Sequence, residues 1–244
     1  MFVPKTEVLK RFAGLYPDKI KELEGLFDGS THVYIDFANV RKRLNWRIDF
    51  VKLKDLFDSF SDIKSVRFYF GTMEGDRGSE GFIHRIKKIG FHVVTKPVKI
   101  MQIPINASSV GPSSPDLLQQ FICGPLLKQL KLEAIEYLNQ QLADLNKQNV
   151  NYLELHKCNF DVEIGIDMRM DHRDKKCEGY CLWSADSDFA SIAEDLLSDG
   201  KKVIICSAGG KVAFELNALT KQGLLIYDPK KVKQIIEREN VPGI

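Results

Sequence analysis

An α/β fold, with a mostly parallel central sheet flanked by helices and one helical insertion, is predicted for this 244-residue chain by three observations. Short apolar runs rich in strand formers recur, as in THVYIDF (31–37), SVRFYF (65–70), FHVVTK (91–96), GYCLWSAD (179–186), KKVIICS (201–207) and GLLIYD (223–228). Stretches with apolar residues at helical spacing separate most of them, and that alternation means right-handed crossovers between parallel strands. Between Pro97 and Asn151 the alternation fails, which predicts the insertion.

Residues 1–30 read as an N-terminal helical appendage or the edge of the core, with PDKIKELEGLF (17–27) at helical spacing. The first strand follows, then a helix over 49–60 with Asp49 as N-cap. The second strand leads to a helix over 79–90 stopped by Gly90, and the third strand comes next. MQIPINASSVGPSSP (101–115) is a loop by composition, and 126–149 reads as one long helix with Ile135, Leu138, Leu142 and Leu145 on a stripe. The stripe is read as packing onto the parent domain, with self-association into a homodimer as the alternative. The fourth strand (179–186) precedes a helix over 188–200 ended by Gly200, then a strand, a helix over 211–219, a last strand and a Pro-started helix from 229. The expected division is 1–30, a core domain over 31–230 with an insertion at about 101–150, and a C-terminal helix or tail over 231–244.

Composition is that of an ordinary globular domain, 44% hydrophobic and 28% charged, and no apolar run is long enough to cross a membrane. The opening MFVPKTEVLKRF lacks the apolar core of a signal peptide. Five cysteines at irregular spacing predict reduced thiols and a cytoplasmic setting. His156, Cys158, Cys177 and Cys181 lack the second regular pair that a zinc site wants, so free thiols are the better reading. The net charge of +2 says little, but its distribution says more. Arg41, Lys42, Arg43 and Arg47 crowd one short segment, and Arg85, Lys87, Lys88, Lys96 and Lys99 another. Such clusters neutralise phosphates even on a nearly neutral chain, although any single lysine is better explained as a solvated surface.

The chemistry-bearing residues lie where strands end. The first strand finishes in Asp36 with Asn39 in the loop beyond it, and the fourth in Ser184, Asp186 and Asp188. Open parallel sheets bind ligands outside the carboxyl ends of their strands, where strand order reverses. If these two strands are neighbours, their tips lie roughly 5 Å apart. Carboxylates that close repel one another unless a cation sits among them, and an oxygen-rich set suits Mg²⁺ or Mn²⁺. Read singly, Asp188 is better explained as an N-cap and Asp167 as surface. A further acidic stretch, HKCNFDVEIGIDMRMD (156–171), is ambiguous. Phe160, Val162, Ile164, Ile166, Met168 and Met170 alternate as in a strand, yet Asp161, Ile164 and Met168 share a helical face; periodicity alone favours the strand.

VYIDFANV, RFYFG, VVTKPVK, KCNFDVEIGIDM and LWSADSDFASIAEDLLSDGKKVIIC together resemble the NYN family, a branch of the PIN-like metal-dependent ribonucleases. The resemblance covers roughly 31–100 and 153–228 and implies a PIN-like, Rossmannoid three-layer sandwich. It matches Asp36 and Asn39 to the family's Asp-x-x-Asn, Lys157 and Asp161 to its Lys-x-x-x-Asp, and Ser184, Asp186, Ser187, Asp188 and Phe189 to its Ser-x-Asp-Ser-Asp-Phe, with Asp167 at a later acidic position. It also reverses the strand reading of 159–171 in favour of a helix. Two departures from the family pattern are Cys158 and Asn159 after Lys157, and the length of the insertion.

The implied activity is metal-dependent hydrolysis of single-stranded RNA with Mg²⁺ or Mn²⁺. Asp36, Asp161, Asp186 and Asp188 would be catalytic metal ligands, and Asn39, Lys157, Asp167 and Ser184 would position substrate or ligands. Arg41, Lys42, Arg43 and Arg47 would follow the RNA backbone, with Trp46 or Phe37 stacking a base, although Phe37 is at least as well explained as core. The competing classes are a non-catalytic RNA-binding or scaffold module of the same fold and, behind it, a metal-dependent phosphatase. IDFAN lacks the second aspartate that such a phosphatase wants.

Overall fold

A computed structural model describes residues 1–207 and 212–239. The chain opens with α1 (Glu7–Leu15), capped by the Thr6 hydroxyl, and α2 (Pro17–Leu26), started by proline. Their buried residues Leu9, Phe12, Ile20 and Leu23 belong to the main core cluster, so these helices wall the core. β1 (Thr31–Asp36) is buried along its whole length, as a central strand covered on both faces should be. It runs straight into α3 (Phe37–Arg43), capped by the Asp36 carboxylate, so Asn39 lies on a helix rather than in the expected loop. α4 (Phe50–Asp58) is capped by Asp49, as its sequence predicts. β2 (Ile63–Thr72), α5 (Arg77–Ile89) and β3 (His92–Pro97) follow, and Gly90 closes α5 at φ 103°, a left-handed conformation that suits glycine.

Val98–Lys157 form a compact unit of their own. It holds β4 (Lys99–Pro104), α6 (Gly124–Leu127), α7 (Leu132–Lys147) and β5 (Tyr152–Lys157), with β4 and β5 paired antiparallel from Lys99↔Lys157 to Pro104↔Tyr152. Two expectations are corrected here. Met101–Pro104 is a strand rather than loop, because its partner lies at the far end of the unit where composition cannot reveal it. The single helix over 126–149 is divided into α6 and α7, which close with Leu118 on a small core of Leu127 and Ile135.

The chain returns with α8 (Asp161–Arg173), β6 (Gly179–Trp183), α9 (Ala190–Ser198), β7 (Lys202–Cys206), α10 (Phe214–Ala218), β8 (Leu225–Tyr227) and α11 (Lys233–Ile236). The helix expected over 211–219 is realised over 214–218, and Lys211 lies outside the described residues. The closing helix is shorter than its sequence predicts, a 3₁₀ turn over Pro229–Val232 leading into α11.

Among the described residues, six strands form one parallel sheet in the order β3-β2-β1-β6-β7-β8. Strand order reverses between β1 and β6, where Ile35 pairs with Trp183. The period-two alternation of strands splits the core in two. Val33, Ile35, Cys181 and Trp183 face one cluster, while Tyr34, Tyr180 and Leu182 face the other. α8 packs into the second cluster through Ile164 and Met168, with Phe160 one turn before them. That spacing of four settles the ambiguous stretch as a helix, with Val162, Ile166 and Met170 exposed. No described helix is long and apolar enough to cross a membrane.

Candidate active site

The carboxyl tips of β1 and β6 are stitched together by side chains. Asp36 is 6% exposed, and its Oδ1 accepts from the Asn39 amide (3.2 Å) while Oδ2 accepts from the Ser184 hydroxyl (3.3 Å). Asn39 Oδ1 accepts from the Ala185 amide across the switch point (3.3 Å) and from Arg43 Nε on its own helix (2.9 Å). The Asp186 amide donates to Ser184 Oγ (3.4 Å), and Asp186 Oδ1 accepts from the Asp188 amide (3.4 Å), capping the turn Ser187–Phe189. The cap is therefore Asp186, not Asp188, and the Asp188 side chain is left exposed. Asp161 opens α8, where its carboxylate accepts from Asn159 Nδ2 (2.7 Å) and sits at the positive end of the helix dipole.

These carboxylates sense one another. Burial pushes the Asp36 carboxyl up, the Asn39 amide and Ser184 hydroxyl oppose it, and the charges of Asp161 and Asp186 push it further. Burial likewise raises Asp161; the Asn159 hydrogen bond opposes this, and the charges of Asp186 and Asp188 add to it. Lys96, at the end of β3, offsets part of this from a position where its Nζ bonds Glu163 (2.6 Å) and lies 4.8 Å from the Phe160 ring centroid. Lys96 is a site neighbour that sequence reasoning counted only within a basic cluster; its place at a strand's carboxyl end was the available signal.

Asp167 accepts from the Tyr69 hydroxyl (2.7 Å) and lies 3.8 Å from Arg67 Nη1. One turn on, the buried Asp171 accepts from His32 Nδ1 (2.8 Å), Tyr34 OH (2.7 Å) and Arg67 Nη2 (3.0 Å), a network that pins α8 to β1 and β2. Lys157 ends β5 in the second unit. Arg41 and Lys42 stand exposed in the last turn of α3, where cations are favoured, and Arg47 is exposed beyond it. Among the described residues, no group of three or more His, Cys, Asp or Glu side chains is arranged to hold a metal ion. Cys177 and Cys181 are buried.

No curated protein matches the chain. A solved structure, a protein of unknown function from Vibrio parahaemolyticus RIMD 2210633, is 16% identical at a TM-score of 0.48, over 81% of this chain and 92% of that chain. A likeness that weak carries no argument. A family model does match: residues 119–223, which include Asp161, Asp167, Ser184, Asp186 and Asp188, match the NYN domain, the family that the sequence motifs resemble.

Proposed function

We propose that this chain is a metal-dependent ribonuclease that hydrolyses phosphodiester bonds of single-stranded RNA. An NYN domain implies the PIN-like nuclease superfamily, which supports the reaction class. The observation that carries the reading is the Ser184 hydroxyl at the switch point, which donates to Asp36 and accepts from the Asp186 amide, with the charges of Asp161 and Asp186 felt at Asp36. Asp36 and Asp186 each cap a turn, but capping alone does not require carboxylates buried beside like charges, which is costly.

The donor set fits a hard divalent cation. Magnesium holds most of its own water and takes only one or two carboxylates directly, so grouped triads of protein ligands are not required. Asp36, Asp161, Asp186 and Asp188 would hold the ion, directly or through its water. Such an ion supplies a water of lowered pKa and neutralises charge on the phosphate. The chain's own residues do the rest. Ser184 and the Asn39 amide fix both Asp36 oxygens, while Asn39 Oδ1 ties the β6 tip to α3. Asp167 and Lys157 are assigned to positioning, and Arg41, Lys42, Arg43 and Arg47 to the phosphate backbone, which fixes register without reading sequence.

One observation favours the second reading, an RNA-binding module without catalysis: both Asp36 oxygens are already engaged, by the Asn39 amide and the Ser184 hydroxyl. Incubating the protein with end-labelled single-stranded RNA and Mn²⁺ or Mg²⁺ separates the two. Cleavage by the wild type that EDTA and Asp186→Asn both abolish supports the nuclease. Binding without cleavage in either metal sinks it and leaves the module.

A further inference from the structure

A cavity of about 810 Å³ has Phe37, the residue after Asp36, in its wall. Its volume lies within the range of sites that take small organic molecules, about 300–1,000 Å³. Two features of its lining are unusual together. Phe37, Trp46, Phe50 and Phe82 form aromatic walls that are only half-buried, and Phe37 packs on Phe50 and Phe82 at centroid distances of 5.7 and 5.2 Å. Around them stand Arg41, Arg47, Arg85 and Arg238, all exposed and without an ion-pair partner among the described residues. Asp49 is the one carboxylate lining the cavity among those residues, and its oxygen is already committed to the amides of Val51 and Lys52 at the start of α4.

We propose that this cavity binds one nucleotide of the RNA strand, its base against the aromatic wall and its phosphate on the guanidinium groups. Uncompensated arginines call for an anion, and their planar forks suit phosphate. Half-open rings call for a flat, weakly polar partner, and a nucleotide carries both in one unit. Arg85 is already laid over the Phe82 ring, its Cζ 5.5 Å from the centroid, so a guanidinium plane is held beside the wall before any ligand arrives. Lys233, which pairs with Glu237 (3.4 Å), lies 5.9 Å from the Trp46 centroid. The geometry also sets a direction. α3 has Asp36 at its N-cap and turns Val40 and Arg41 to the cavity, so a strand crossing the acids is led along a helix about 10 Å long into the pocket. The identity of the strand as RNA rests on the nuclease reading; the nucleotide chemistry of the pocket does not.

The test uses the full chain in EDTA, so that no cleavage occurs. Trp46 and Trp183 are the two tryptophans, and Trp183 is 4% exposed in the core, so ligand-dependent quenching reports Trp46. AMP and a single-stranded oligoadenylate should each quench the fluorescence to saturation, inorganic phosphate should compete weakly, and Trp46→Phe should remove the signal. Arg85→Gln with Arg238→Gln should weaken oligonucleotide binding by roughly tenfold and lower the salt slope by about 0.7 for each phosphate no longer neutralised. Each single variant is measured beside the pair, with circular dichroism as the fold control. Absent quenching by both ligands, or unchanged affinity and salt slope in the folded variants, overturns the proposal. So does equal competition by inorganic phosphate, or by an acidic peptide without aromatic residues. Quenching without cleavage in either Mn²⁺ or Mg²⁺ sinks the nuclease reading alone, and cleavage without quenching sinks the pocket alone.

Discussion

Replacing Asp171 with asparagine removes the one charge at the centre of the network that holds α8 to the sheet. The Asp171 side chain is 1% exposed, and three donors converge on it from His32, Tyr34 and Arg67. Arg67 Nη1 also lies 2.8 Å from Asp171 Oδ2, an ion-pair contact without hydrogen-bond alignment. Burial pushes the carboxyl up, but the hydrogen bonds from Arg67, His32 and Tyr34 outweigh it and hold the pKa at about 2 against an ordinary 3.8. At ~1.4 kcal/mol per pH unit, that depression contributes about 2 kcal/mol at neutral pH. An asparagine has one acceptor for three donors, and breaking a buried pair typically costs about 3–5 kcal/mol, so the depression alone sets a lower bound on the loss.

The folded-state pKa lies below the unfolded value. The contribution is therefore complete well above pH 3.8 and is lost as the pH falls through about 2, with about half remaining near pH 3. Urea titrations of wild type and Asp171→Asn from pH 7 to pH 3 measure this directly. The variant should be at least about 2 kcal/mol less stable at pH 7, or roughly 4–8 °C lower in Tm for a chain of this size, and the gap should narrow toward pH 3. A variant as stable as wild type, or a gap unchanged across that range, would refute the claim that this charge anchors α8.

Asp186→Asn keeps a capping oxygen but removes a charge felt by both Asp36 and Asp161, so it should melt higher than wild type in EDTA and gain less from Mn²⁺. For wild type, metal at about 100 times Kd should add about 2.7 kcal/mol, read as a rise in Tm; equal metal responses in the two proteins would make the acids mere caps. Arg41→Ala, Lys42→Ala and Arg43→Ala together should weaken RNA binding across sequences and flatten its salt dependence, and an unaltered slope would mark a solvated face. Deleting Val98–Lys157 should leave a folded main unit by circular dichroism, because Lys99 pairs with Lys157 and the two ends of the segment lie about 5 Å apart, within reach of a short linker. Complete unfolding would show that the main unit depends on it. In Gly179→Ala the new Cβ would meet Thr31 Oγ1 at 2.5 Å and Thr31 Cβ at 3.3 Å, so a loss of about 1–3 kcal/mol is expected in thermal melts; no loss would mean that β1 shifts freely there.

The strands of the main sheet were legible from sequence because each is a local event. A run such as THVYIDF or GYCLWSAD carries its own apolar, strand-forming signal, and an abrupt acidic end marks its tip. Asp36, Ser184 and Asp186 could therefore be named from the ends of those runs, and only their meeting across β1 and β6 required the fold. Where two periodicities coexist, local pattern does not decide. In α8, residues 160–170 alternate like a strand, and periodicity alone favoured one; the family resemblance favoured a helix, and packing of Ile164 and Met168 under β1 and β6 made it so. β4 was invisible because Met101–Pro104 becomes a strand only through Tyr152–Leu155, a partner far along the chain. Arg85 and Arg238 were unreadable as neighbours of Trp46 for the same reason: residues this distant share a wall only after the chain has closed, and no local spacing encodes that.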